Sequence, residues 1–226
     1  MRIYNKEMKT VDEYFESEVG QQLLRKEEAL VKPFLETLLG SRIVQVGGAG
    51  GGRWLEWSRI EEKYFLAAEG SGLVTQNLQT QRLIDEVRCH YQELPLLPNC
   101  VDVMVLPHVL ESVSLPKALL GEIYTALKPH GYLLIVGCNA WSPGLLLQWL
   151  GSSALSWLKH WLPAFRLKNW LRQHRYTVVR QVKRSKSYVL LVQKQVSCVP
   201  LNLAPGWTKT KVMAKGIAEP TTRNPL

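Results

Sequence analysis

Positions 47 to 52 read Gly47, Gly48, Ala49, Gly50, Gly51 and Gly52, and they follow directly on the apolar, β-branched run Ile43, Val44, Gln45, Val46. Residues without a Cβ let the main chain lie against a ligand and adopt positive φ. A strand that breaks into such a turn before Arg53, Trp54 and Leu55 start a helix has the outline of a nucleotide loop. A plain surface turn has the same composition, so the glycines need a partner. Glu69 offers one: it closes a second apolar run, 63–68, and stands 18 residues beyond Gly51. An acid at the end of the second strand of a βαβ unit, about 20 residues past the glycines, can accept both ribose hydroxyl protons; the alternative is a solvated strand-end glutamate. A nicotinamide-type G-x-G-x-x-G fails in every register, because a start at Gly47 meets Ala49 and a start at Gly48 meets Arg53.

The elements that must hold these residues follow from periodicity. Apolar residues at spacings near three and four across 10–39 predict an amphipathic helical segment, two helices broken near Gly20 or Pro33 and ending at Gly40. Strands are expected at 43–46, 63–68, 86–91, 101–106 and 132–136, with helices at 54–60, 72–84 and 115–127 between them. The run Val101, Asp102, Val103, Met104, Val105, Leu106 is almost wholly apolar, as a strand buried on both faces must be. Lys128, Pro129, His130 and Gly131 read as a stop before the next strand. A basic helix over 166–174 precedes strands at 176–182 and 187–193, close enough to pair as a hairpin. Strands alternating with helices argue for a parallel sheet covered on both faces, with ligands beyond the carboxyl ends of its strands.

Composition narrows the function classes. The chain has 226 residues, 46% hydrophobic and 21% charged, which suits one soluble domain. Met1, Arg2, Ile3, Tyr4, Asn5, Lys6 and Glu7 carry charge where a secretory signal would be apolar, and Cys89, Cys100, Cys138 and Cys198 lack zinc or CxxC spacing. A cytoplasmic protein with reduced thiols, no disulfide and no metal is the expectation. Net charge is +9, yet from residue 163 on the only acid is Glu219, so the basic excess is C-terminal. That polarity suits an anionic partner or a membrane surface, or a merely solvated tail. The stretch 144–162 is rich in tryptophan (Trp149, Trp157, Trp161) and reads as a lid or insertion of two short helices, or as helices on a membrane surface. From Cys198 on, the Pro, Thr, Lys and Gly content predicts a disordered basic tail.

The segments 94–111, ending in Pro107, His108, Val109, Leu110 and Glu111, and 127–137, running from Leu127, Lys128, Pro129 to Val136 and Gly137, resemble the central half of a class I S-adenosylmethionine-dependent methyltransferase of the type 11 group. More narrowly, the H-x-L-E segment and the loop Gly137, Cys138, Asn139, Ala140, Trp141, Ser142 resemble a bacterial branch of that group. The resemblance implies an α/β, Rossmann-like fold: a seven-stranded, mostly parallel sheet with a C-terminal antiparallel hairpin. It implies S-adenosylmethionine over Gly47, Gly48, Ala49 and Gly51, Glu69 on its ribose, and Gln45, His90 and Leu106 around it. Gln45 replaces the acid usual at the end of the first strand, and His90 stands at or beside the acid near the adenine; Ala49 replaces the second glycine of G-x-G if Gly47 is the first, whereas the register Gly48 to Gly52 restores G-x-G-x-G but shifts the strand. His108 is the candidate general base, with Glu111 three residues on, and Asn139 a candidate for orienting an acceptor.

Residues 1–40 are thus expected to cap the cofactor site, 41–197 to form the methyltransferase-like domain and 198–226 the tail. The expected activity is methyl transfer to a small or apolar acceptor, with peripheral membrane or anionic contact through 144–226. The alternative is a degenerate methyltransferase-fold interaction protein that holds an anionic partner through its basic C-terminal third. Nucleic-acid methylation is the weaker option, since Pro107, His108, Val109 and Leu110 stand where an Asn-Pro-Pro-Tyr-type segment would follow the fourth strand.

Overall fold

The apolar runs condense into one sheet. The computed structural model describes residues 15, 17–48, 51–69, 84–139, 162–184 and 186–196. Its strands are β1 (Arg42–Val46), β2 (Glu62–Ala68), β3 (Asp85–Cys89), β4 (Val101–Pro107), β5 (Leu127–Cys138), β6 (Tyr176–Lys183) and β7 (Ser187–Lys194). They form a seven-stranded sheet of order β3-β2-β1-β4-β5-β7-β6. β1 to β5 pair parallel, whereas β7 runs antiparallel to both β5 and β6. The order reverses at β1, so the segments that follow the paired strands β1 and β4 leave toward opposite faces, and a crevice opens between them where open α/β sheets take ligands.

Pleat alternation divides the core. On one face Val103, Val105, Leu134 and Val136 meet α1 (Glu18–Leu35) and the 3-10 turn Arg53–Trp57, through Leu24, Val31, Leu35, Trp54 and Leu55. On the other, Val44, Met104, Leu106 and Ile135 meet α3 (Pro116–Ala126) and α4 (Ala164–Gln173), through Leu119, Leu120, Ile123, Leu167 and Leu171. A one-turn helix, α2 (Val109–Ser112), leaves the end of β4.

The structure revises several boundaries. α1 runs unbroken past both Gly20 and Pro33. Gly20 lies in the first turn, where its N–H is held at 3.1 Å by the Ser17 cap, and Pro33 falls in the last turn, two residues before the helix ends. The helix expected at 54–60 is a short 3-10 turn. The stop at Lys128 to Gly131 does not separate helix from strand; β5 begins at Leu127 and absorbs it as a bulge, with His130 at φ 62°. The expected helix 72–84, except its last residue, the insertion 144–162 except Leu162, Ala49 and the tail lie outside the described residues. The chain divides into two units, Met1–Val196 and Ser197–Leu226, and all described residues belong to the first. Among the described residues no helix is long and apolar enough to cross a membrane.

Candidate active site

Parallel pairing brings the ends of β1, β2, β3 and β4 to one edge, and with them Gly47, Glu69, His90 and His108. Val46 is in register with Leu66, and Ala68 with Cys89. Gly47, Gly48, Gly51 and Gly52 have φ of 51°, 85°, 54° and 85°, the left-handed region that L side chains avoid. Glu69, beyond β2, has a half-exposed carboxylate whose Oε2 lies 2.8 Å from Nε2 of His90, the residue after β3. A carboxylate offers about four lone-pair sites, so this contact leaves room for two sugar hydroxyls. Gln45 is buried beneath the turn; its Nε2 donates to the Gly47 carbonyl at 3.1 Å and its Oε1 has no partner among the described residues. Leu106 is fully buried under α3 and presents no side-chain surface, which removes it from the expected cofactor contacts.

Two of the glycines are met by the protein's own atoms. A Cβ on Gly47 would stand 2.2 Å from the Tyr91 hydroxyl, and one on Gly48 would stand 2.3 Å from the Pro107 carbonyl oxygen. The residues fit an adenosyl group at Glu69 and along the glycine backbone, provided that the Tyr91 hydroxyl yields its place over Gly47. Tyr91 escapes sequence reasoning because nothing in its local pattern tells which strand end it covers.

Behind this edge lies a sealed polar cluster. Glu27 of α1 is the one acid on a stripe otherwise formed by Leu23, Leu24, Val31 and Phe34, and it is 0% exposed. Both its oxygens lie 3.0 Å from Nε2 of His108, and Ser187 at the start of β7 donates a short hydrogen bond to Oε1. On the other side of the ring, Nδ1 lies 3.6 Å from Cys138 Sγ, and the Cys138 N–H donates to Glu111 Oε1 at 2.9 Å. Burial alone would lower the His108 pKa, but the Glu27 carboxylate and Cys138 outweigh it and hold the imidazole well above its usual value. Burial raises Cys138, against the pull of His108, so the thiol stays protonated. Imidazole, thiol and the Glu111 carboxylate lie within 4.8 Å of one another, a spacing a metal ion could bridge. Yet His108 already bonds on both ring nitrogens and the sulfur is no thiolate, so the cluster reads as a hydrogen-bond network built around the imidazole.

His108 and Glu111 are 0% and 1% exposed. A general base needs a path to its acceptor, so the expectation that His108 takes a substrate proton is corrected: it anchors α1 to the ends of β4 and β7. Asn139 is likewise engaged, its N–H bonding the Lys186 carbonyl at 2.8 Å and its Nδ2 the Arg184 carbonyl at 3.2 Å, which fastens the end of β5 to the β6–β7 turn. Glu27 is legible in the sequence as a charge on an apolar stripe. Ser187 carries no such signal.

A family profile described as a methyltransferase domain matches residues 47–135, the span from the glycine turn to the middle of β5. Over that span the chain is similar to a methyltransferase domain of the type 11 group. No curated protein matches it in sequence. Solved structures share the fold at low identity. The cyclase SpnF is 16% identical, covering 85% of this chain and 86% of its own, with a TM-score of 0.61. A chain from the complex of the Haloferax volcanii Trm112 methyltransferase activator with a methyltransferase is 13% identical, covering 82% and 99%, with a TM-score of 0.63. An S-adenosylmethionine-dependent methyltransferase from Mesorhizobium loti is 16% identical, covering 72% and 96%, with a TM-score of 0.53. These likenesses establish the methyltransferase fold alone.

Proposed function

We propose that the protein transfers the methyl group of S-adenosylmethionine to a small or apolar acceptor. The observation that carries this reading is the half-exposed Glu69 carboxylate at the end of β2, beside the positive-φ glycines that end β1, inside the methyltransferase domain. When bound, the cofactor would supply an electrophilic methyl group on a sulfonium sulfur, with S-adenosylhomocysteine as the leaving group once an acceptor lone pair has taken the methyl. Glu69 would hold the ribose hydroxyls and the main chain at Gly47 and Gly48 would lie against the cofactor, with Gly51 and Gly52 turning the chain away. Positioning can supply much of the rate of such a displacement, so a sealed His108 is no obstacle.

Calorimetry with S-adenosylhomocysteine tests it. Saturable binding, weakened about tenfold by Glu69→Ala, is expected, since two hydrogen bonds to a charged acceptor are lost. Absence of binding at millimolar ligand would favour the second reading, a degenerate domain that holds an anionic partner through its basic C-terminal third. Tyr91 over Gly47 is the observation on that side.

A further inference from the structure

We infer that the cavity between α1 and the β6–β7 turn seats a small amphiphilic anion, an apolar-bodied carboxylate or phosphate. Its role as the acceptor rests on the methyl-transfer reading; its binding does not.

The cavity holds about 450 Å³, within the range of about 300–1,000 Å³ usual for small-molecule sites. Val19, Leu23 and Leu30 of α1 give it an apolar wall. Lys26, Arg184 and Lys186 also line it, and none of the three pairs with a carboxylate among the described residues. Among the described residues the lining acid is Glu27, and its charge is already answered by His108 at 3.0 Å and by the Ser187 hydroxyl. Among the described residues, the uncompensated charge facing the cavity is therefore positive. An apolar wall raises the value of that charge to an incoming anion, because field lines are less screened there than in water. Long basic side chains suit a rim, with stems along the apolar wall and heads outward.

Placement ties the cavity to the reaction edge. Ser187 pairs with Cys138, the last residue of β5, so the floor lies at the carboxyl ends of the strands where the glycine turn also lies. The Glu27–His108 pair stands between the cavity and the end of β4. An acceptor held by its charged and apolar parts on one side of that pair needs no contact with His108 to be fixed in place.

Calorimetry on the full chain with octanoate, octyl phosphate and octan-1-ol tests the inference. At least one anion is expected to bind saturably and at least about tenfold tighter than the alcohol, the better of the two naming the headgroup. Ala29→Trp, which fills the cavity from an exposed position of α1, should abolish binding, and joint Lys26→Glu and Lys186→Glu should weaken it about tenfold. Unchanged circular dichroism and S-adenosylhomocysteine affinity in these variants would show the loss to be local. Equal affinity for alcohol and anions, no anion binding below micelle-forming concentrations, or undiminished binding in folded Ala29→Trp would overturn the assignment. If octanoate binds and S-adenosylhomocysteine does not, methyl transfer falls and the anion site stands; the reverse result removes the site and leaves the transfer reading.

Discussion

His108 Nε2 lies 3.0 Å from each carboxylate oxygen of Glu27, across 81 residues of sequence and with both side chains sealed from solvent. This pair locks the helix that covers one face of the sheet to the end of its central strand. Breaking a buried pair from one side strands a charge, so Glu27→Gln should cost about 3–5 kcal/mol of unfolding free energy. The pH dependence has a sign. His108 is held well above its usual value in the folded chain, against about 6.5 unfolded, so its contribution is fully present below about pH 6.5 and is lost as pH rises through the folded value. Urea unfolding of wild type and Glu27→Gln across that window measures the difference, which should shrink with rising pH. A constant difference would mean that the pair is not the source.

Tyr91 and Gly47 should behave as one unit. Alanine at position 47 must accept φ near +51° and stand against the Tyr91 hydroxyl. The left-handed backbone alone costs about 1–2 kcal/mol for a residue with a Cβ. Gly47→Ala should therefore cost more than that in wild type and fall back to about 1–2 kcal/mol in a Tyr91→Ala background, as a double-mutant cycle of unfolding free energies would read. Equal costs in the two backgrounds would show that the hydroxyl does not press on the turn.

Lys194 is 6% exposed at the end of β7, with its ammonium donating to Asn99 Oδ1 at 3.0 Å and to the carbonyls of Tyr124 at 2.7 Å and Leu127 at 2.6 Å. It binds the end of α3 and the start of β5 to the hairpin. Lys194→Met keeps the stem and leaves those acceptors bare, a loss of about 1–3 kcal/mol that chemical denaturation should register. A variant as stable as wild type would mean that water replaces the ammonium.

What the sequence discloses depends on the length scale of each cause. β1, β2 and β4 are legible because an apolar run ended by Gly47, Glu69 or Pro107 is a local pattern, and so is the hairpin of β6 and β7. The start of β5 is not, because Lys128 to Gly131 are local stop residues that the neighbouring strand tolerates as a bulge opposite Val101 and Val103. Gly20 and Pro33 mislead for a similar reason: each breaks a helix interior, but both fall in terminal turns. At the site, the glycines and Glu69 are visible by spacing. The burial of His108 is not, since it depends on Glu27 and Ser187, residues that only the folded sheet brings within bonding distance.

Glu111 offers the last test of this cluster. Its Oε1 accepts the Cys138 N–H, but Oε2 is buried with no partner among the described residues. Burial lifts its pKa, and the pull of His108 and the Cys138 N–H offsets that only in part. The cluster thus sets two carboxylates, Glu27 and Glu111, against one imidazolium. A carboxyl raised in the folded state contributes stability that is complete below its unfolded value of about 4.3 and is lost as pH rises through the folded value. Glu111→Gln keeps the oxygen that Cys138 needs and removes the surplus charge. The variant should match wild type in acid and exceed it by about 1 kcal/mol at neutral pH, the size expected when a buried charge without full compensation is neutralised. Thermal or urea unfolding at both pH values decides it: a variant weaker than wild type at neutral pH would show that His108 draws on Glu111 as a second counter-ion, with the orphan oxygen helping to hold the imidazolium.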